Sequence, residues 1–258
     1  MIARAHESAT AEFIEAASKA DLAALKAAYA KGVAVNRSDK MGNTALIWGG
    51  ARGSIPVLSF LFAHGAENHA VNAAGNNALM QAIAAHHEEA SAFCLKHAFN
   101  MAAVNNDGET AFAMAAGRSL TSLFDDMIAQ GADINHPDAK GRTPLMIAAA
   151  AGAEGTVANL LARNGVKLEQ RDDEGHTALM LACLGGYRGA AVLLLKAGAR
   201  VDVSDKRGRD MMFYARQWGL EDEVREAFSR YDIPQIKEGT RQDISLMKPI
   251  GPVVRRRG

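Results

Sequence analysis

Gly141-Arg142-Thr143-Pro144-Leu145-Met146-Ile147-Ala148-Ala149-Ala150-Ala151-Gly152 reads as a helix start held between two glycines. Thr143 is a good N-cap, Pro144 suits a first helical position whose N–H has no intrahelical partner, and Leu145 begins an apolar face. Ala148 and Ala149 are small enough for a second helix to approach closely. Stepping outward from Gly141 finds glycine at 42, 75, 108, 141, 175 and 208, at intervals of 33, 33, 33, 34 and 33. A second series at 32, 65, 98, 131, 165 and 198 keeps the same intervals, with glycine everywhere except Ala98. Two series in one phase define a repeat.

Around the first series recur Gly42-Asn43-Thr44-Ala45-Leu46, Gly108-Glu109-Thr110-Ala111-Phe112 and Gly175-His176-Thr177-Ala178-Leu179, and leucine pairs such as Leu160-Leu161 and Leu194-Leu195 follow. The expected N-caps are Thr44, Asn77, Thr110, Thr143, Thr177 and Asp210, all able to accept from an orphan N–H. The second glycine falls just after the return helix, where a left-handed residue is favoured; at Ala98 that backbone costs about 1–2 kcal/mol.

The pattern resembles the ankyrin repeat family, whose unit of about 33 residues carries a T-P-L-H-x-A signature. The full T-P-L-H string never occurs; its fourth place is held by Ile47, Met80, Ala113, Met146, Met180 or Phe213. The resemblance implies an all-α solenoid of helix-turn-helix units joined by β-hairpin loops. It divides the chain into a leader (1–8), a repeat domain (9–230) and a basic Pro/Gly-containing tail (231–258). Seven units are expected, at about 9–38, 39–71, 72–104, 105–137, 138–171, 172–204 and 205–230. The first unit lacks its hairpin, with Phe13 at the leucine place and Ala16-Ala17 at the small pair, and shows the polar outer face of a cap. The Gly141 unit is one residue longer, and the turn Gly152-Ala153-Glu154-Gly155 is the expected place for the extra residue.

Composition narrows function mainly by exclusion. With 48% apolar and 22% charged residues the chain is globular, and 29 basic against 29 acidic residues give no long-range field for nucleic acid or membrane. Only Cys94 and Cys183 are present, far apart, which argues against a disulfide framework and suits a reducing compartment. The N-terminus lacks a basic region followed by an apolar one, and no apolar run reaches the roughly 18 residues of a membrane span, so a cytoplasmic location is expected.

No G-x-S-x-G, H-E-x-x-H or phosphate loop occurs, so the chain is expected to be no enzyme and to need no cofactor. His86-His87-Glu88-Glu89 is the compact set of metal-type ligands, with His64 and His97 in one place of adjacent units. Adjacent histidines on a turn diverge, so no metal site is expected there; these histidines read as a solvated turn and helix-terminal residues. Trp48 reads as core or inter-unit packing, and the periodic place of Met80, Met146 and Met180 also argues packing.

The family resemblance implies a binding surface at the residues flanking each hairpin glycine and at the exposed ends of the first helices. By register these are Lys40, Met41, Asn43 and Arg52; Ala73, Ala74, Asn76, Ala84 and Ala85; Asp107, Glu109 and Arg118; Lys140, Arg142, Ala150 and Ala151; Asp173, Glu174, His176 and Leu184; and Lys206, Arg207, Arg209 and Trp218. Alanine in the middle either floors a groove that admits a peptide or helix, or simply raises helix propensity. The expected partner is another protein or peptide, with no specific nucleic acid.

The tail carries Leu246, Met247 and Val253 among its apolar pieces and ends on Arg255, Arg256 and Arg257. It reads as a solvated terminus, as a segment that folds over the groove or pairs with the partner, or as a basic address. The last looks somewhat like the C-terminal signals of some bacterial type IV secretion effectors. Scaffold or adaptor is the function expected; an inhibitor or immunity-type regulator and a translocated effector are the alternatives.

Overall fold

The computed structural model describes residues 2–217 and 219–230, and the chain divides into two compact units, Met1–Pro144 and Leu145–Gly258. The first unit holds helices α1 (Ile2–Ser18), α2 (Leu22–Tyr29), α3 (Ala45–Arg52) and α4 (Ile55–Ala63). It continues with α5 (Ala78–Ala84), α6 (Glu88–Leu95), α7 (Ala111–Gly117), a 3-10 turn (Thr121–Leu123) and α8 (Phe124–Ala129). The second opens with α9 (Pro144–Ala150) and α10 (Glu154–Leu161), then α11 (Ala178–Leu184), α12 (Arg188–Lys196), α13 (Met211–Arg216) and α14 (Glu221–Arg230). Among the described residues there is no strand; three of the loops are hairpins closed by a single antiparallel bridge, Ser38 with Thr44, Val104 with Thr110 and Ser204 with Asp210.

Local chemistry explains where the helices begin. Thr44 accepts from the Ile47 N–H, Asn77 from Met80, Thr110 from Ala113, Thr177 from Met180 and Asp210 from Phe213. Six residues of α3, α5 or α7 after each cap are almost all buried, so a short helix presents nearly its whole circumference to neighbours. That is why these helices are stable at seven or eight residues, below the length at which an isolated helix holds. Met80, Met146 and Met180 are all within 1% of full burial, as their periodicity indicates.

Each first helix ends in a common turn. An N–H two residues past the end of α3, and three past the ends of α5, α7 and α11, reaches back five residues: Ser54 to Gly49 O (3.1 Å), His87 to Ala82 O (2.9 Å), Leu120 to Ala115 O (3.0 Å) and Tyr187 to Ala182 O (2.9 Å). The residue before that donor is left-handed in every case, including the non-glycines His86 (φ 59°) and Ser119 (φ 59°).

This turn corrects the expected place of the extra residue in the Gly141 unit. Gly152 stands eleven residues after Gly141, as Gly53 does after Gly42, and Ala153 makes the same bond to Ala148 O (3.0 Å). Val157 and Leu160 are buried at the register places of Leu58 and Leu61. The insertion therefore falls between Leu160 and Gly165, after the last buried position of α10. A turn locked at both ends cannot lengthen without unseating a helix, whereas the solvent-facing exit of the return helix can.

Two backbone positions carry measurable tension between propensity and packing. Ala98 is left-handed (φ 51°) where Gly65 and Gly131 serve elsewhere, and it is exposed. Gly50, in the middle of α3, packs so closely on α5 that a Cβ would enter the Ala78 carbonyl group. Ala98→Gly is expected to raise stability by about 1 kcal/mol, because it relieves the left-handed strain without removing a contact. Gly50→Ala is expected to lower it by about 1–3 kcal/mol, since overpacking against backbone outweighs the gain in helix propensity. Urea midpoints at constant m-value check both; shifts of the same sign would contradict this assignment.

Candidate functional site: the hairpin frame and its tips

Every hairpin is built on one side chain that stands three residues before its glycine: Asp39, Asn72, Asn105, Asp138, Asp172 or Asp205. Its Oδ1 accepts two backbone N–H groups, from the residues two and four positions on. Asp39 accepts from Met41 (2.8 Å) and Asn43 (2.9 Å), Asn105 from Asp107 (3.0 Å) and Glu109 (2.9 Å), and Asp205 from Arg207 (2.8 Å) and Arg209 (2.9 Å). The other members do the same within 2.7–3.0 Å. An acceptor-only carboxylate or an amide oxygen thus stands in for the ladder that a strand pair would supply.

Successive hairpins are tied through their tips. In the first unit the Ala73 N–H donates to Met41 O (2.8 Å), Asn106 to Ala74 O (3.0 Å) and Ala139 to Asp107 O (2.8 Å); in the second, Lys206 donates to Glu174 O (2.9 Å). Gly108 (φ 72°) makes this approach possible, because a Cβ there would lie 2.5 Å from the Ala139 nitrogen.

The remaining oxygen or amide of the hairpin residue recruits the side chain four positions on. In the first unit Asn43 Nδ2 donates to Asp39 Oδ2 (3.2 Å), Arg142 Nε to Asp138 Oδ2 (2.8 Å), and Asn105 Nδ2 to Glu109 Oε2 (3.3 Å). Amides also bridge hairpins, Asn72 Nδ2 to Asn43 Oδ1 (3.0 Å) and Asn105 Nδ2 to Asn76 Oδ1 (3.2 Å). In the second unit the buried His176 ring donates through Nδ1 to Asp172 Oδ2 (3.0 Å) and receives Arg209 at Nε2 (3.4 Å). Asp205 Oδ2 accepts from Arg209 Nε (2.5 Å) and from the Tyr214 hydroxyl (2.6 Å).

Of the residues expected to face a partner, Asn43, Asn76, Glu109, Arg142, His176 and Arg209 are thus engaged in the frame. Lys40, Met41, Asp107, Lys140, Asp173, Glu174 and Arg207 are exposed at the tips. Arg52 donates to Ser18 O (2.6 Å) and Arg118 to Ala84 O (3.0 Å), each bridging to the end of the preceding first helix. Trp218 and the tail residues Leu246, Met247, Val253, Arg255, Arg256 and Arg257 lie outside the described residues.

Trp48 differs from its expected packing role. It is half-buried, its Nε1 donates to Asp39 Oδ2 (3.0 Å), and the Arg52 guanidinium lies 5.7 Å from its ring centroid. Its register place is that of Tyr214, which binds Asp205 in the same way. The hairpin residues themselves escaped sequence reasoning, although an Asp or Asn at a fixed offset before every hairpin glycine was the signal.

The histidines are held apart. His87 begins α6 and its ring N–H donates to Ala51 O (3.2 Å), while His64 and His97 end their return helices and donate through Nδ1 to Phe60 O (2.7 Å) and Phe93 O (3.0 Å). Among the described residues no group of three His, Cys, Asp or Glu is placed to hold a metal ion. Burial pushes both the Cys94 and the Cys183 thiols up to about 12, which leaves them inert packing groups. No helix among the described residues is long and apolar enough to cross a membrane.

Comparison with known proteins agrees with this geometry. Residues 112–205 match the family model for ankyrin repeats, in three copies. A human ASB11 ankyrin repeat domain superposes with a TM-score of 0.74 at 21% identity, over 83% of this chain and 96% of that one. An ankyrin repeat domain from Acinetobacter baumannii gives 0.65 at 27% identity, over 70% and 96%. A chain from a complex of a predatory endopeptidase of Bdellovibrio bacteriovorus with an immunity protein gives 0.67 at 25% identity, over 72% and 97%. No curated protein matches the sequence.

The frame has an acid signature. Burial alone would raise the Asp205 carboxyl, but the Tyr214 hydroxyl, the Arg209 and Arg207 N–H groups and the Arg209 guanidinium outweigh it and hold it well below the carboxylate range. The unfolded chain therefore takes up this proton first as pH falls from about 4, and the stability that the carboxylate contributes is lost from there downward. Asp205→Asn is expected to lower stability at pH 7 by about 1–2 kcal/mol and to flatten the decline between about pH 4 and pH 2. Urea titrations across that range check it; parallel pH profiles for the two proteins would contradict it.

Proposed function

The chain carries ankyrin repeats, and on that premise we propose that it is a non-catalytic protein-interaction module, a scaffold or adaptor. Ankyrin repeats are protein-interaction modules, so the class of partner follows from the repeat and the contact surface from this chain's own residues. The proposed boundaries are a repeat domain over 9–230 in seven units, with a tail over 231–258 that aids binding through Leu246, Met247, Val253 and the terminal arginines.

The observation that carries the reading is the division of labour in the hairpins. One set of polar side chains is engaged in holding the backbone, and a second set, Lys40, Met41, Asp107 and Lys140 in the first unit and Asp173, Glu174 and Arg207 in the second, is exposed on that fixed frame. A partner meeting such tips orders little on the repeat side, so more of the contact energy appears as affinity. The tips are mixed in charge, which favours a partner of complementary pattern over a uniformly charged polymer.

A second reading has one observation in its favour. The similarity to a chain from the endopeptidase complex with an immunity protein supports an inhibitor-type role, in which the repeat surface covers a partner enzyme's active site. The two differ in outcome for the partner: a scaffold leaves its activity intact, and an inhibitor abolishes it at one-to-one stoichiometry.

Photo-crosslinking residues placed at Met41, Lys140 and Glu174 in the full chain are expected to capture the same cellular protein. Lys140→Glu and Glu174→Lys are expected to weaken its affinity severalfold to tenfold with unchanged melting, because neither residue holds the frame. Arg142→Glu is expected instead to destabilise the fold through Asp138. Crosslinks confined to the return helices, or tip variants that bind as wild type, would overturn the proposed surface.

A further inference from the structure

The second unit is open beyond α13. Phe213, three residues after the cap Asp210, is 40% exposed, although Ile47, Met80, Met146 and Met180 hold the same place at most 1% exposed. The cap itself is exposed at Asp210 and buried at Thr44, Asn77 and Thr177. Six residues after the cap, Arg216 is exposed where Gly50, Ile83, Ala149 and Cys183 are buried. Each of those buried places belongs to a helix followed in its own unit by another first helix, and α3 packs on α5, α5 on α7 and α11 on α13. No first helix follows α13 among the described residues. The three uncovered places, with Gln217, line an open cleft of about 330 Å³. The hairpin shows the same gap: a Cβ on Gly42 would meet Asn72 and one on Gly175 would meet Lys206, but one on Gly208 would meet nothing within 4 Å.

The sequence that follows keeps the register. Thirty-three residues on from Asp210 stands Asp243, a good N-cap, and Ile244, Leu246 and Met247 stand thirty-three on from Met211, Phe213 and Tyr214. The connection has the right length: Arg230 ends α14 thirteen residues before Asp243, and Lys196 ends α12 fourteen before Asp210. The register is also truncated. Arg241 stands at the hairpin-glycine place, and Pro249 cannot continue a helix begun at Asp243. What remains is one capped turn with three apolar side chains.

We propose that residues 243–247 seat in this cleft as a shortened first helix, with Leu246 on the Phe213 ring. The chain thereby closes its own stack. An apolar segment of another molecule competes at a disadvantage, because the tether holds this one at an effective concentration on the order of millimolar. The seat also specifies how the tail aids binding: Leu246 and Met247 anchor it, and Val253 and the terminal arginines are left to a partner. Only that last point rests on the protein-binding reading above, and a test within one molecule needs no partner.

Disulfide trapping in the full chain tests the register. Arg216 and Ile244 hold the places of Gly50 and Ala78, where a Cβ on Gly50 would stand 3.3 Å from the Ala78 Cα. Arg216→Cys paired with Ile244→Cys is therefore expected to close an intramolecular disulfide about tenfold faster than Arg216→Cys paired with Lys237→Cys. A free tail predicts the reverse order, because the shorter loop to Lys237 closes more readily. Cys94 and Cys183 are buried with their thiols pushed up, so they do not compete. Equal rates, faster closure at Lys237, no closure, or a disulfide between two molecules overturns the proposal, the last assigning the cleft to a second copy. A double-mutant cycle supplies the second readout. Leu246→Ala and Phe213→Ala are each expected to lower the urea midpoint, and the double variant to fall short of the sum. Additive shifts, or no shift from Leu246→Ala, overturn it as well; should Phe213→Ala unfold, the trapping rates decide. None of these outcomes bears on the hairpin tips, so such a failure leaves the tip-binding reading intact.

Discussion

One hydrogen-bond arrangement underlies the rest of the structure: a side-chain oxygen accepting two backbone N–H groups at the base of each hairpin. It closes the loop at Asp39, Asn72, Asn105, Asp138, Asp172 and Asp205 alike. Each bond contributes about 1 kcal/mol net, and somewhat more where the acceptor is a carboxylate. Its larger effect is geometric, because it aims the tip carbonyl at the next hairpin's N–H and delivers the chain to the helix cap a few residues on. Loops that lack strands keep a defined shape by this means.

The arrangement sorts side chains into two populations by position alone. The residue two places after the acceptor gives its N–H inward and its side chain outward, as Met41, Lys140 and Arg207 do. The residue four places after gives both inward, as Asn43, Arg142 and Arg209 do. The two units use the inward place differently. Neutral amides link successive hairpins at Asn72 and Asn105, whereas an arginine and a tyrosine converge on the one Asp205 carboxylate. That convergence also holds the Arg209 guanidinium 5.4 Å from the Phe213 ring centroid.

What the sequence makes legible follows from periodicity and local chemistry. Glycine spacing, the cap residues and the left-handed strain at Ala98 depend on a residue and its near neighbours, and they can be read from the chain. Contacts set by the third dimension are less accessible. Arg142 and Arg209 carry the same charge as Lys140 and Arg207, and only the path of the hairpin turns one pair inward. Composition places the extra residue of the Gly141 unit in a glycine-rich turn, yet the bond from Ala153 to Ala148 O locks that turn. The exposure of Phe213 is equally hidden, since its register place is a core place everywhere earlier in the chain.

The hairpin frame predicts loops as rigid as the helices they join, and native-state amide hydrogen exchange measures this most directly. The amides of Asn43, Arg142 and Arg209, held by Asp39, Asp138 and Asp205, are predicted to exchange as slowly as those inside α3, α7 and α11. Exchange of these amides at the rates of an unstructured loop, with the helices still protected, would contradict the account.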